Sequence, residues 1–321
     1  MIAVLGECVA DGFTARSPGD RPPAEHGGEA LELGLRVLPG GGPANTAVAL
    51  ARLGTPARFL GRISGDVFGE LFRRRLTASG VDLSASVDAK EPSTLAVAAL
   101  DTGGQAEYTF YADGTADWQW TPYELDLDRL GPVACLHTGS LALAKEPGRA
   151  AVEAFAREAA GRATISIDPN VRPSLASRAD YPVSRWCEWT DILKLSADDL
   201  DFLQPGVPVE RACDAWHAAG ARLIVVTKGA AGALVSLDGE RASVPAPRVT
   251  VVDTVGAGDS FTAGLLHGLA AEGLLGGRLD GLDLATAVAA AEFAARVAAL
   301  TCSVAGANPP WAAELTTGGP G

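Results

Sequence analysis

The stretch Asp253-Thr254-Val255-Gly256-Ala257-Gly258-Asp259-Ser260-Phe261 sets one carboxylate inside a turn made of the smallest side chains. An apolar segment, Val249 to Val252, precedes it and reads as a strand; Phe261, Leu265, Leu266 and Leu269 follow at helical spacing. A strand would then empty into a turn that opens a helix, whose first N–H groups lack partners inside the helix. With so little side chain over them, Gly256, Ala257 and Gly258 can seat a phosphate on backbone amides at the positive helix end. Asp259 would repel that anion. The repulsion makes chemical sense if the carboxylate accepts the proton of a hydroxyl attacking the phosphate. The plainer alternative is a helix start in which Asp259 only complements the dipole. Two other nucleotide devices are excluded. Phe261 stands where a dinucleotide fingerprint needs its third glycine. None of the four lysines, Lys90, Lys145, Lys194 and Lys228, follows a glycine as a Walker loop requires.

The 321 residues suit one large α/β domain or two small ones, and 47% hydrophobic with 20% charged is ordinary for a folded soluble chain. A net charge of −13 disfavours nucleic acid and anionic membranes as partners, so any phosphate site must be built locally. Five scattered cysteines without a Cys-x-x-Cys, and four dispersed histidines, indicate reduced thiols and no zinc site. The N-terminus lacks a basic region and a long apolar run, and no segment approaches a membrane span. A cytoplasmic protein is expected.

The elements that must position these residues follow in order. Ile2 to Leu5 reads as a buried strand ending at Gly6, with Asp11 beyond it. Residues 16–28 read as an exposed loop, and Leu31 to Leu38 as a strand. Pro39-Gly40-Gly41-Gly42-Pro43-Ala44-Asn45 opens a helix through Leu53. Its glycines permit close approach of a ligand, and Asn45 can both donate and accept. Arg58 to Ile63 reads as a strand and Phe68 to Ala78 as a helix. Ser93 to Leu100 and Ala106 to Ala112 flank a turn-like 101–105, and with Leu31 to Leu38 they can form a small separate sheet. From Pro132 strands and helices alternate, the signature of a mostly parallel sheet covered on both faces. Asp11, Asp168, Thr227 and Asp253 are expected past strand ends, where such sheets bind ligands. A flexible tail is expected over 316–321.

The three stretches DTVGAGDSF, PGGGPAN and Gly6-x-x-x-x-Asp11 together resemble the PfkB (ribokinase-like) family of carbohydrate kinases over essentially the whole chain. The resemblance implies a single ribokinase-like α/β/α sandwich over 1–315, with lid segments near 12–38 and 90–115. It implies Asp259 as catalytic base, Gly256, Ala257 and Gly258 as anion hole, and Asp11, Gly41, Gly42 and Asn45 as sugar ligands. ATP and Mg²⁺ are implied, with Lys194, Ser196, Thr227, Lys228, Gly229 and Gly232 on the nucleotide side. Ser196 and Asp199 stand where the family has Asn-x-x-Glu, so Asp199 would hold Mg²⁺ through water. Read locally, the same pair is a helix cap. In some relatives a monovalent cation, K⁺, sits behind the anion hole, and Asp253 would contribute to it. A homodimer through the lid is a further family trait.

Asp168-Pro169-Asn170-Val171-Arg172, Lys194-Leu195-Ser196 and Gly306-Ala307-Asn308-Pro309-Pro310 resemble the fructokinase and 2-keto-3-deoxygluconate kinase branch. Arg172 would face the sugar; the alternative is an arginine paired with a structural carboxylate. Gly6-Glu7 and Gly114-Thr115-Ala116-Asp117-Trp118 favour fructose, with the keto-deoxy acid as runner-up. A catalytically silent sugar sensor is the alternative from another class, opposed by the intact Asp259 turn.

Overall fold

The structure is a computed structural model and describes residues 1–14, 34–100 and 106–316. The expected loop at 16–28, the turn at 101–105 and the tail beyond Thr316 lie outside the described residues. The strands are β1 Ile2–Leu5, β2 Val9–Thr14, β3 Leu35–Gly40, β4 Ala57–Leu60, β5 Arg62–Ser64, β6 Val87–Ala89, β7 Thr94–Leu100 and β8 Ala106–Tyr111, then β9 Cys135–Gly139, β10 Thr164–Asp168, β11 Ile192–Ser196, β12 Leu223–Thr227, β13 Ala233–Leu237 and β14 Glu240–Val244. The helices are α1 Gly42–Arg52, α2 Val67–Ala78, α3 Leu127–Leu130, α4 Ser140–Ala144, α5 Arg149–Ala159, α6 Val183–Trp186, α7 Ala197–Leu203, α8 Val209–Ala219, α9 Ala257–Ala271, α10 Leu284–Cys302 and α11 Ala312–Thr316.

Eight strands form one sheet in the order β14-β13-β12-β11-β10-β9-β1-β4, parallel from β12 to β4. Side chains alternate across it. Ile2 and Val4 of β1 join a core with α1, α9 and α10, while Ala3 and Leu5 face the α5 and α8 side, where Trp186 and Trp216 are fully buried. Helices therefore cover both faces. α9 and α10 approach closely because α9 carries glycines at the contact: a Cβ on Gly264 would lie 2.7 Å from the Ala294 Cα. α10 is long and apolar enough to cross a membrane by length and composition, yet its Ala287, Ala291 and Ala294 are buried in this core.

The separate sheet expected from the sequence is present, in the order β3-β2-β7-β8. Asp11 is not past a strand end but inside β2, opposite Leu38, so the chain runs from the main sheet into this smaller one sooner than read. Asp117 fastens its root. One carboxylate oxygen accepts the Cys8 amide at 2.8 Å, just before β2, and the other accepts the Thr94 hydroxyl at 2.7 Å, at the start of β7.

Two other readings are corrected. Val249 to Val252 is no strand: Val251 and Val252 are both 60% exposed, and Pro245 and Pro247 interrupt the donors just ahead. The sheet edge is instead the antiparallel pair β13–β14, turned by Asp238-Gly239. Arg58 to Ile63 also divides, β4 joining the main sheet and β5 pairing with β6.

Asp117→Ala leaves the buried Cys8 amide without an acceptor, and is expected to cost about 1–3 kcal/mol. Urea unfolding checks this; an unchanged midpoint would show that Asp117 does not fasten the small sheet.

Candidate active site

Gly256 caps α9 with φ 78, a left-handed conformation glycine adopts without strain. A Cβ there would also strike the Ala307 side chain at 2.6 Å. The Ala257 amide turns back to the Thr254 carbonyl at 3.2 Å, while the Gly256 and Gly258 amides find no acceptor among the described residues. Two amides without acceptors at the positive end of a 15-residue helix leave donors for an anion.

Asp259, in the first turn of α9, meets the start of α1. Asn45 Nδ2 donates to Asp259 Oδ2 at 2.9 Å, and the Thr46 hydroxyl reaches the Asp259 carbonyl at 3.4 Å. The other carboxylate oxygen faces Gly42, where an added Cβ would lie 3.1 Å from it and 2.4 Å from Asn170 Nδ2. Glycine at 42 thus lets Asn170 and the carboxylate close on the start of α1. Gly41 must be glycine too: its φ is 98, and a Cβ would sit 2.4 Å from the Glu7 carbonyl oxygen.

Burial pushes the Asp259 pKa up; the Asn45 hydrogen bond and the Lys194 charge oppose the rise, and Asp168 adds to it. Lys194 is 3% exposed and pairs with Asp168 at 2.7 Å. Burial works against its ammonium, but the charge and hydrogen bond of Asp168, with the charges of Asp199 and Asp259, leave the net shift upward. Lys194 Nζ would lie 3.1 Å from a Cβ on Gly258, so its charge stands directly behind the anion seat. Thr262 of α9 also donates to Asp168, at 3.4 Å.

Asp11 approaches from β2. Burial raises its pKa to about 6 against the pull of Arg172 and Arg75. It fits because residue 40 is glycine; a Cβ there would collide with its carboxylate at 2.0 Å. Arg172 Nη1 donates to the Asn170 and Val171 carbonyls at 3.2 and 3.0 Å, and no ion pair engages it among the described residues. Its charge is felt by Asp11, Glu7 and Asp259.

Asp199 is a helix cap. Its oxygens accept the Ser196 amide and hydroxyl at 2.9 and 2.7 Å and the Val171 amide at 2.8 Å, and Ser196 returns the capping box. Asp253 ties the turn before α9 to the segment after α10, accepting the Val255 amide at 3.0 Å and the Gly306 amide at 2.8 Å. Thr227 ends β12, with Lys228, Gly229 and Gly232 in the turn that follows. No hydrogen bond joins them to the Asp259 cluster.

Thr46, Asp168 and Asn170 also touch this cluster, and Glu7 lies behind Gly41. Glu7 is 3% exposed, its pKa raised by burial to about 7, with one oxygen held by Ser140 at 2.5 Å and the other without a partner among the described residues. The signal for Asp168 and Asn170 was their place at the end of an apolar strand; Thr46, one residue beyond Asn45, gave none.

Residues 1–314 match a family described as pfkB family carbohydrate kinase. The chain belongs to this family. Over 251 residues it is 41% identical to a fructokinase of Rhizobium leguminosarum bv. trifolii, covering 76% of this chain and 75% of that one. A fructokinase of Xylella fastidiosa with bound ATP superposes with a TM-score of 0.83 at 27% identity, covering 95% of this chain and 93% of the other. A fructokinase of Vibrio cholerae O395 with fructose, ADP and calcium gives 0.76 at 28% identity, covering 95% and 94%. The kinase thus has a ribokinase-like fold, with its glycine turn and carboxylate at the start of α9.

Asn45 favours the ionised form of Asp259, so removing it should raise that pKa further. For Asn45→Leu the acid limb of kcat is expected to move to higher pH by about one unit, the worth of a hydrogen bond to a charged group. A limb that stays in place would show that Asn45 does not tune the base.

Proposed function

We propose that this kinase transfers the γ-phosphate of ATP to the 6-hydroxyl of fructose. The observation that carries the reading is Asp259 itself: a carboxylate of raised pKa between unclaimed amides of α9 and the side-chain-free start of α1 at Gly42. A general base works best when its pKa approaches the working pH.

In this reading Asp11, Gly41, Gly42 and Asn45 hold the sugar hydroxyls. The 6-hydroxyl donates to Asp259; as its oxygen bonds to the γ-phosphorus its proton passes to the carboxylate, and ADP departs with the electrons of the broken bond. The amides of Gly256, Ala257 and Gly258, with Lys194 behind them, offset charge on the transferring group; the Ala257 amide first leaves Thr254. Lys194, Ser196, Thr227, Lys228, Gly229 and Gly232 make the nucleotide side, and the single kinase domain spans 1–315. Mg²⁺ fits only through water: Asp199 Oδ2 already accepts two donors and Oδ1 one, leaving a lone pair on Oδ1 for a metal-bound water. When bound, Mg²⁺ neutralises phosphate charge. Asp253, already drawing two loops together, is assigned to a monovalent cation such as K⁺. Five free thiols support a cytoplasmic setting, and exposed Leu35 and Tyr111 on the edge strands of the small sheet support a homodimer through it.

One observation favours a second reading. Arg172 has no carboxylate partner among the described residues, and a 2-keto-3-deoxy sugar acid would supply one. With fructose, Arg172→Ala should cost about 1–3 kcal/mol in kcat/KM, the scale of a hydrogen bond from a charged donor. With the acid as natural substrate the cost rises to about 3–5 kcal/mol. We expect the smaller loss.

Asp259→Asn should bind fructose and ATP nearly as before while kcat drops by about 10²–10⁴-fold, the range for losing a general base. Turnover within a few-fold of wild type would remove Asp259 from that role.

A further inference from the structure

α2 carries Arg73-Arg74-Arg75, and the three differ sharply. Arg73 pairs with Asp88 at 2.6 Å, and Arg74 points into solvent near Glu70 at 3.9 Å. Arg75 turns inward. One terminal nitrogen donates to the Pro39 carbonyl and the other to the Ala307 carbonyl. No carboxylate forms an ion pair with it among the described residues. Burial brings its pKa down to about 10, so it keeps its charge at neutral pH.

The two carbonyls belong to opposite sides of the site. Pro39 lies at the end of β3, the small-sheet strand that runs past Asp11 into the Gly41 turn. Ala307 covers Gly256, the residue that sets the amides of α9. A guanidinium is a planar fork of donors, able to fix two acceptors in one plane; an ammonium is a point charge that cannot hold both in that geometry.

We propose that Arg75 is a positioning residue that couples the sugar-side loop to the anion-hole turn, so that each substrate changes the affinity of the site for the other. The proposal rests on the assignment of those two sides given above. Coupling between sites is reciprocal, so the factor by which sugar tightens nucleotide must equal the factor by which nucleotide tightens sugar.

The test is calorimetric titration of ADP with MgCl₂, with and without saturating fructose, and of fructose with and without ADP. It is run on wild type, Arg75→Lys and Arg75→Met. In wild type each ligand should tighten the other by the same factor, within the roughly 5–150-fold span usual for coupled sites. In both variants that factor should fall toward one, while each ligand alone binds within a few-fold of wild type. A merely structural arginine would weaken both ligands or the fold and leave the ratio unchanged. If the methionine variant does not fold, the lysine variant, which keeps the charge, decides. Undiminished coupling in the folded variants, or no coupling in wild type, overturns the proposal. A wild type that phosphorylates another sugar and not fructose overturns the fructose reading alone; the same titrations with that sugar then decide Arg75.

Discussion

The structure depends on keeping a carboxylate where an anion must also sit. Burial favours the protonated form of Asp259, and a protonated acid takes no proton from a hydroxyl. Two contacts restrain it. Asn45 donates to the carboxylate from α1, and Lys194 adds a buried positive charge from β11. Lys194 can be buried only because Asp168, at the end of β10, is its partner at 2.7 Å. Removing any member leaves another charge or donor uncompensated. The parallel order β1, β9, β10, β11 is what delivers these side chains to one edge, and the close contact of α9 with α10 holds the helix whose first amides complete the site.

What was legible in the sequence was local. Gly256, Gly41 and Gly42 are demanded by backbone geometry within a few residues of themselves, so their pattern survives translation into sequence. Asp259 and Asn45 were legible because they share short motifs with those glycines. Position across the fold was harder. Nothing in Arg73-Arg74-Arg75 sets Arg75 apart as sequence; only the packing of α2 turns it toward Pro39 and Ala307. Glu7 could be noticed but not given a buried setting, since its partner Ser140 lies 133 residues away.

The errors have physical causes. Val249 to Val252 is apolar and short, which fits a buried strand, but no neighbouring strand offers it a ladder, and its side chains lie largely in solvent. The Asp238-Gly239 turn is a usable hairpin signal, but it stands in an alternation of strand and helix that reads as a mostly parallel sheet. Asp199 shows two chemistries sharing one pattern: a serine followed three residues later by an acid both caps a helix and resembles a metal-water motif, and here the capping contacts are made.

The central claim is that Asp259 faces the attacking hydroxyl while the α9 amides face the phosphate. A crystal structure of the kinase with fructose and a non-hydrolysable ATP analogue tests it most directly. The account predicts the fructose 6-hydroxyl oxygen at hydrogen-bond distance from the Asp259 carboxylate, about 2.6–3.2 Å, with the analogue's terminal phosphate on the Gly256–Gly258 turn. A sugar whose hydroxyls all lie beyond reach of Asp259, with the phosphate seated elsewhere, would contradict it.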